Sequence, residues 1–583
     1  MKRAPNRGDW PDLATRWLAA LGMISWLIYL AIARLSTRFV YGRGFSERPI
    51  AAVLLWLTAA FLIYLAALWL AARARENRWL MWAIWLPAIA FRLTLLPTTP
   101  IQEIDIYRYV WDGAASTSGV SPYRYSPGQV AAARAKETLP DGLARLVRRR
   151  DGSASLKTIV SRVHYAHLPT IYPPTSQAVF ALAAMVTPSS SSVETRLTVM
   201  KAFFVAFDLG TIAVVMALLR CSGRHVGWSV AYAWCPLVLK EIANGGHLDA
   251  LAVFLTTLAV YAAVRGMFNR EAAKSDHAPS SGMIVLAALT LALAVGAKLY
   301  PVVLAPLLLV TGLKRIGWRK MLVPTGLFCV VSALLLWPMM PDCRAPATNT
   351  PRTSARKMIV KPRADVAAQD PSLGLRTFLR RFEMNDFLFL LVVENLKPQI
   401  EVPWSDQPWF MIVPEAWRGP LLEKTVGRMA DDPIDRTLLL ARILIGTVFV
   451  LLVIIFTLRG ATARSAGKWL RMAFLTLAWL WLLSPTQNPW YWLWALPFVP
   501  FARCRAWLLV SGLALAYYSR FWLIYHFADT PIMGTTYRGG LFFDYVVVWF
   551  EYAPLFLLLA AESVWLLLAR GKRQTSHRRL GTT

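Results

Sequence analysis

Charge is scarce in this chain: Asp, Glu, Lys and Arg make up 16% of its 583 residues. A soluble protein of that length needs far more to cover its surface. Acid is the scarcer sign, 33 residues against 63 basic ones, for a formal net charge of +30. That excess does not point to nucleic acid, because Lys and Arg sit in short clusters between apolar runs and not on one amphipathic domain. Cysteine is also sparse. The five (Cys221, Cys235, Cys329, Cys343, Cys504) show no CxxC spacing and fall mostly in or beside apolar segments. They read as small hydrophobes and imply neither a metal nor a disulfide framework. No tandem repeat and no soluble domain boundary is visible. No small-residue cleavage site follows the N-terminal "MKRAPNRGDW", so the first apolar run reads as an uncleaved span.

What the chain has is hydrophobicity, 56% of all residues, and 26 Trp. Runs such as "AAVLLWLTAAFLIYLAALWLAA" (residues 51–72) and "VVVWFEYAPLFLLLAAESVWLLLA" (546–569) are long enough to cross about 30 Å of hydrocarbon as helices. The expected fold is an all-α polytopic membrane protein. Residues 1–583 form one integral membrane domain of about 12–14 transmembrane helices, with long loops at 97–197 and 340–436 carrying interfacial helices.

The short loops sort by charge. Residues 73–78, Arg220 with Arg224, 265–274, 314–320, 459–471, 502–505 and the tail from Arg570 are basic; 244–249, 297–301 and 484–491 are nearly free of basic residues. The positive-inside rule puts the first set in the cytoplasm with both termini, and the second outside. Arg43 and Arg48 run against the rule in the first hairpin, and the two long loops are too long to vote. By this placement "EIDIYRYVWDG" (103–113), "NGGHLD" (244–249), "AKLYP" (297–301) and "SPTQNPWY" (484–491) share the outer face. Two long apolar runs are also broken, 282–312 at Lys298 and Pro301, and 474–501 at 484–489. Such breaks are tolerated in a membrane where backbone lines a cavity or is buried in protein.

Each polar stretch has a chemical and a bland reading. In a helix Asp105 and Asp112, seven apart, share a face with Arg108 and Tyr109 between them. A carboxylate beside an apolar boundary suits a general base, but the same residues suit an aromatic belt with Arg108 paired to Asp112. "HLPTIYPPTSQ" (167–177) is a Pro-stiffened loop or turn leading into a short apolar segment, 176–187, expected to lie along the interface. "KEIANGGHLDA" (240–250) places Lys240, Glu241, His247 and Asp249 in one break, where ionisable groups are functional by default. A capped helix end is the alternative. His247 and Asp249 are too few for a metal site. Lys298 either snorkels or meets an anion. "SLGLRTFLRRFEMNDFLF" (372–389) reads as an amphipathic surface helix whose Arg376, Arg380 and Arg381 suit lipid phosphate or headgroups.

With these residues in hand, the chain resembles the polyprenyl-phosphate-sugar-dependent glycosyltransferases of the GT-C fold. It is most similar to the bacterial mannosyltransferase-like branch, whose outer loops read "DxYRYxWDG", "TIYPP", "GHxD", "KLYP", "FxxND" and "PWY". Here these stand in the same order at 105–113, 170–174, 246–249, 298–301, 382–386 and 489–491. Ile104 stands before Asp105 where relatives carry a second acid, with Glu103 one step earlier. The resemblance implies a GT-C-like helical bundle in a bacterial inner membrane with its active site on the outer, periplasmic face. It implies inverting transfer of a hexose, mannose favoured, from a polyprenyl-phosphate-linked donor to a glycan, lipid or protein hydroxyl. By motif match Asp105 is the base. Cations near the leaving phosphate lower the barrier, a role that falls to Lys298 and Arg108, with His247 as donor or proton carrier. Asp112 and Asp249 then orient those cations or bind sugar hydroxyls, and Trp111 and Tyr491 stack on the sugar or the first isoprenes. Glu103, His167, Tyr172, Asn385, Asp386 and Asn488 are further candidates. No cofactor is expected, and no divalent metal is implied. The alternative is a transporter or flippase of a lipid-linked sugar, which predicts deep polar residues on both sides of the midplane and paired repeats.

Overall fold

The computed structural model describes residues 11–135, 137–268, 281–341, 367–398 and 406–580. The Pro- and Arg-rich stretch 342–357, Cys343 and part of the basic loop 265–274 lie outside the described residues. The chain is 75% helical with no strands among the described residues. Among the described residues eight helices are long and apolar enough to cross a membrane. This is an all-α polytopic membrane fold. The expected 12–14 spans counted shorter pieces as well, such as Pro174–Val186 and Ser281–Ala297, which fall below spanning length.

Local chemistry sets where the helices start. Asp12 caps Leu13–Ser36 by accepting from the Thr15 amide, Asn77 caps Arg78–Leu95, Ser192 caps Val193–Cys221, and Ser465 caps Ala466–Leu483. Burial then separates inner spans from outer ones. Asp249–Phe268 is 67% buried in its apolar window, against 17% for Pro433–Ala461 and 11% for Trp318–Met339. The outer pair leave apolar side chains such as Leu334, Val448 and Leu451 exposed, as lipid-facing helices do.

The first long loop is itself mostly helical, with Asp105–Thr117, Asp141–Asp151, Ala154–Ser161 and Pro174–Val186 packed together. The segment expected along the interface packs Val179, Phe180 and Ala183 inward and leaves Leu182, Met185 and Val186 exposed. A Cβ on Gly113 would lie 2.2 Å from the Phe180 carbonyl oxygen, so Asp105–Thr117 crosses Pro174–Val186 backbone to backbone. At the other helix's start, the Ser176 hydroxyl donates to the Ala297 carbonyl at 2.8 Å, tying it to the end of Ser281–Ala297.

Both expected breaks are present. Ser281–Ala297 stops before Lys298, and a 3₁₀ turn, Tyr300–Leu304, leads into Ala305–Ile316. Ala466–Leu483 stops before Ser484, followed by 3₁₀ turns Pro489–Trp494 and Leu496–Phe501. Proline at the start of each 3₁₀ turn removes a donor the helix would need. In the second long loop the amphipathic helix is Leu373–Arg381. Two of its three arginines meet acids: Arg381 lies 2.9 Å from Asp435 and Arg376 3.8 Å from Asp370.

Candidate active site

The chain enters the site through a locked turn. The Asn244 side chain accepts from the Ile101 amide at 2.9 Å and donates to Thr98 and Thr99. Gln102 is left-handed, at φ 67°, and its side chain joins Arg48 at 3.1 Å to Tyr525 at 2.5 Å. Arg48, one of the two basic residues that broke the charge rule, is therefore bonded to the residue next to Glu103. Backbone strain of this kind gathers at functional sites, and left-handed Tyr165 (φ 49°) and Asn385 (φ 52°) lie in the same region.

Asp105 is the first residue of its helix, where the free amides favour an anion. Its carboxylate is half-buried and takes no hydrogen bond from the described residues. It lies within electrostatic range of His247, Lys298, His164, Glu103, Tyr172 and Tyr491. Burial pushes the Glu103 carboxyl up to about 8, against the pull of Lys240 and His247. Burial lowers the His164 imidazole, with Asp105 opposing.

Gly246 brings the third motif to the first. It is left-handed (φ 72°), and a Cβ there would meet Ile106 of the Asp105 helix at 2.6 Å. A π-helical turn, Leu239–Asn244, precedes it. His247 Nδ1 lies 3.0 Å from the Glu241 carbonyl and 3.1 Å from its carboxylate, and the ring stacks on Trp490 at 4.2 Å. Glu241 in turn accepts from the Tyr518 hydroxyl at 2.6 Å. The imidazole orientation is fixed on one edge, while Nε2 is buried without a partner.

The third and fourth motifs form an ion pair walled by the sixth. Lys298 Nζ donates to Asp249 Oδ1 at 2.6 Å, and Trp494 Nε1 donates to the same oxygen at 2.6 Å. The ammonium lies 4.2 Å from the Tyr491 ring centre. Trp494 is sandwiched by Tyr491 at 4.4 Å and Tyr300 at 4.3 Å. Asp249 Oδ2 has no hydrogen bond.

The fifth motif is zipped to the sixth across a hundred residues. Met384 pairs with Thr486 in a parallel bridge, its amide donating to the Pro485 carbonyl at 3.0 Å and its carbonyl accepting from the Gln487 amide at 2.8 Å. Asn385 donates to Gln487 and to Glu551 at 3.1 and 3.2 Å. Burial raises the Asp386 carboxyl well above its ordinary range, helped by Glu383. The Asn488 carbonyl accepts from the Tyr491 amide at 2.9 Å, and its Oδ1 is free. Phe382 touches Tyr165, ring centres 4.9 Å apart, which joins this unit to the loop beside Asp105.

Among the described residues no group of three or more His, Cys, Asp and Glu side chains converges as metal ligands. Residues 31–313, a stretch holding Asp105, His247, Asp249 and Lys298, match the family model alpha-(1->6)-mannopyranosyltransferase, N-terminal domain. That model describes a GT-C type mannosyltransferase family, and the match covers just under half of the chain. The protein is a membrane glycosyltransferase. No curated protein and no solved structure matches it.

Not every residue singled out in the transferase sequence faces this cluster. Arg108 is buried and its Nη2 holds the Tyr165 and Leu168 carbonyls, each at 3.0 Å. It forms no ion pair with Asp112. Asp112 and Trp111 are each 1% exposed, and Asp112 accepts from Gln177 at 3.2 Å against Pro174–Val186. Tyr172 gives its carbonyl to Tyr123 at 2.8 Å and packs edge-on against Tyr109 at 5.0 Å. His167 is exposed, its ring 6.4 Å from that of Tyr165. Sequence reasoning did not single out Asn244, Gln102 or Tyr518. Tyr518 sits in an apolar run like any interfacial aromatic; only Glu241, six residues before His247, carried a signal.

Proposed function

We propose that the transferase moves a mannosyl group from a polyprenyl-phosphate-linked donor to an acceptor hydroxyl, with inversion, at the outer face of a bacterial inner membrane. Both termini are cytoplasmic in this reading. Asp105 is the base. The observation that carries it is the Asp105 carboxylate itself: unpartnered at a helix start, within electrostatic range of Lys298 and His247.

Asp105 takes the acceptor hydroxyl proton as that oxygen bonds to the anomeric carbon from the side opposite the phosphate. The anomeric carbon–oxygen bond to phosphate breaks, and its electron pair leaves with polyprenyl phosphate. Negative charge grows on that phosphate, so cations fixed in advance stabilise the transition state more than the bound donor. Lys298, held by Asp249, and His247, held at Nδ1 by Glu241 with Nε2 left unpartnered, supply them. Tyr491 and Trp494 form the aromatic wall for sugar or first isoprene. Glu103 is protonated near neutrality, so it donates a hydrogen bond and does not compete as base. Arg108 holds the 165–168 loop and Asp112 anchors the helix; both act by positioning. Asn385, Asp386 and Asn488 lie toward the acceptor side.

Sugar release from radiolabelled polyprenyl-phosphate-mannose and -glucose, by purified wild type and Asp105→Asn in detergent with a crude membrane acceptor pool, tests this. Transfer from the mannose donor is expected to fall roughly 10²–10⁴-fold in the variant. Equal transfer by both proteins removes Asp105 as base. Transfer from glucose alone removes mannose. Movement of donor lipid without its consumption would favour a flippase.

A further inference from the structure

At the opposite end of the helix Ala466–Leu483 lies a cavity of about 490 Å³ whose lining includes Arg224, Arg459, Arg464, Lys468, Arg471 and Arg503. That helix has 18 residues, about 27 Å, and its other end runs into Ser484 and the motif beside Asn385. The cavity and the Asp105 cluster are therefore separated by roughly the thickness of a hydrocarbon core.

Six cations on one cavity repel one another. Arg471 is half-buried and lies within electrostatic range of Arg459 and Arg503, with Glu562 the acid near it. Among the described residues none of the six forms an ion pair. A basic loop that served only to orient the chain would splay its side chains into water. Here two arginines are turned inward, and Arg224 is fixed, its Nη1 donating to the Pro500 carbonyl at 2.5 Å and its guanidinium 5.4 Å from the Phe501 ring centre. The start of Ala466–Leu483, with Ser465, Gly467 and Lys468 on the wall, adds amides that favour an anion.

The occupant is read from what leads out of the cavity. Pro433–Ala461 ends on its rim, and just before Arg459 its Ile454, Ile455 and Leu458 are exposed on one of the least buried spans. An apolar stripe running from a cationic cavity suits a molecule with a charged head and hydrocarbon tails. We propose that this cavity binds the headgroup of an anionic phospholipid carrying two phosphates, from the leaflet opposite the Asp105 cluster, with its acyl chains along Ile454 and Leu458. Two phosphates match six cations better than one. Arg464, Lys468 and Arg503 are exposed at the mouth, and Arg224 and Arg471 form the floor.

Native mass spectrometry of the full chain in detergent tests this with cardiolipin, phosphatidylglycerol and phosphatidylcholine at equal concentration, and separately with inorganic pyrophosphate. Cardiolipin retention is expected to exceed that of phosphatidylcholine, and R464Q/K468Q/R503Q to erase the preference, roughly fivefold per cation removed. A matched variant of exposed cations elsewhere, K314Q/R319Q/K320Q, is expected to keep it. If the triple variant fails to fold, R464Q and R503Q singly each carry the fivefold expectation. Equal loss in both triple variants reduces the effect to diffuse charge and overturns the site. Retention in R464Q/K468Q/R503Q overturns it too. Pyrophosphate binding without lipid preference overturns the lipid in favour of a soluble anion.

Discussion

Two buried Asp–cation pairs, each closed at 2.6 Å, sit in different parts of this molecule. Arg92 and Asp208 are both 0% exposed, and Arg92 also donates to the Ala88 and Ala233 carbonyls at 2.9 and 2.8 Å. The pair ties Arg78–Leu95, Val193–Cys221 and the short turn at Ala233 into one unit. Lys298 and Asp249 are 17% and 1% exposed, and the ammonium lies against Tyr491 within electrostatic range of Asp105. Both aspartates leave one oxygen without a hydrogen bond, so incomplete bonding does not tell the pairs apart. Access does. One pair is sealed and holds helices; the other keeps a cation where an anion can reach it.

The largest effect that tests this contrast is on stability. Arg92→Met leaves Asp208 charged and enclosed, and is expected to cost about 3–5 kcal/mol, read as lost folded protein in membranes and a lower thermal midpoint in detergent. Adding Asp208→Asn is expected to recover part of that loss, because the uncompensated charge is its main source. Lys298→Gln should do the reverse: its amide can still donate to Asp249, so the thermal midpoint falls much less than in Arg92→Met while transfer falls by about 10²–10³-fold. If Lys298→Gln unfolds the chain as Arg92→Met does, the two pairs are of one kind and the cation assignment falls.

The smallest effect concerns pH. Glu103 is ordinarily half-ionised near 4.5 and is pushed to about 8 in the fold. Its folded form holds the proton more tightly than the unfolded chain. The stability it contributes is thus fully present below 4.5, falls as pH rises, and is gone above about 8. Glu103→Gln is expected to flatten that part of the stability–pH curve, measured by thermal unfolding. An unchanged slope would show that Glu103 is ionised in the fold and would reopen it as a rival base to Asp105.

Much of this was legible before the coordinates. The breaks at Lys298 and Ser484 interrupt apolar runs, and a polar residue or proline inside such a run is a local fact. The motifs around Asp105, His247, Asp249 and Tyr491 were legible for the same reason. Arg92, Asp208 and Tyr518 were not, since each is a lone polar residue in an apolar stretch and its partner lies far along the chain. Asp112 and Trp111 show the limit of periodicity. Spacing puts Asp105 and Asp112 on one side of a helix, but that side is divided: its first turn opens to the cluster, and its later turns are covered by Pro174–Val186 at Gly113.

The sequence alone determined that this is a helical membrane chain with two interrupted spans and polar stretches between them. Hydropathy, capping and proline act over a few residues and need no partner. Only the tertiary structure decided that Lys298 meets Asp249, that Glu241 orients His247, and that Arg108 faces a loop instead of the cluster. Those outcomes depend on how helices cross, which is set by close contacts at Gly113 and Gly246 between segments far apart in the chain.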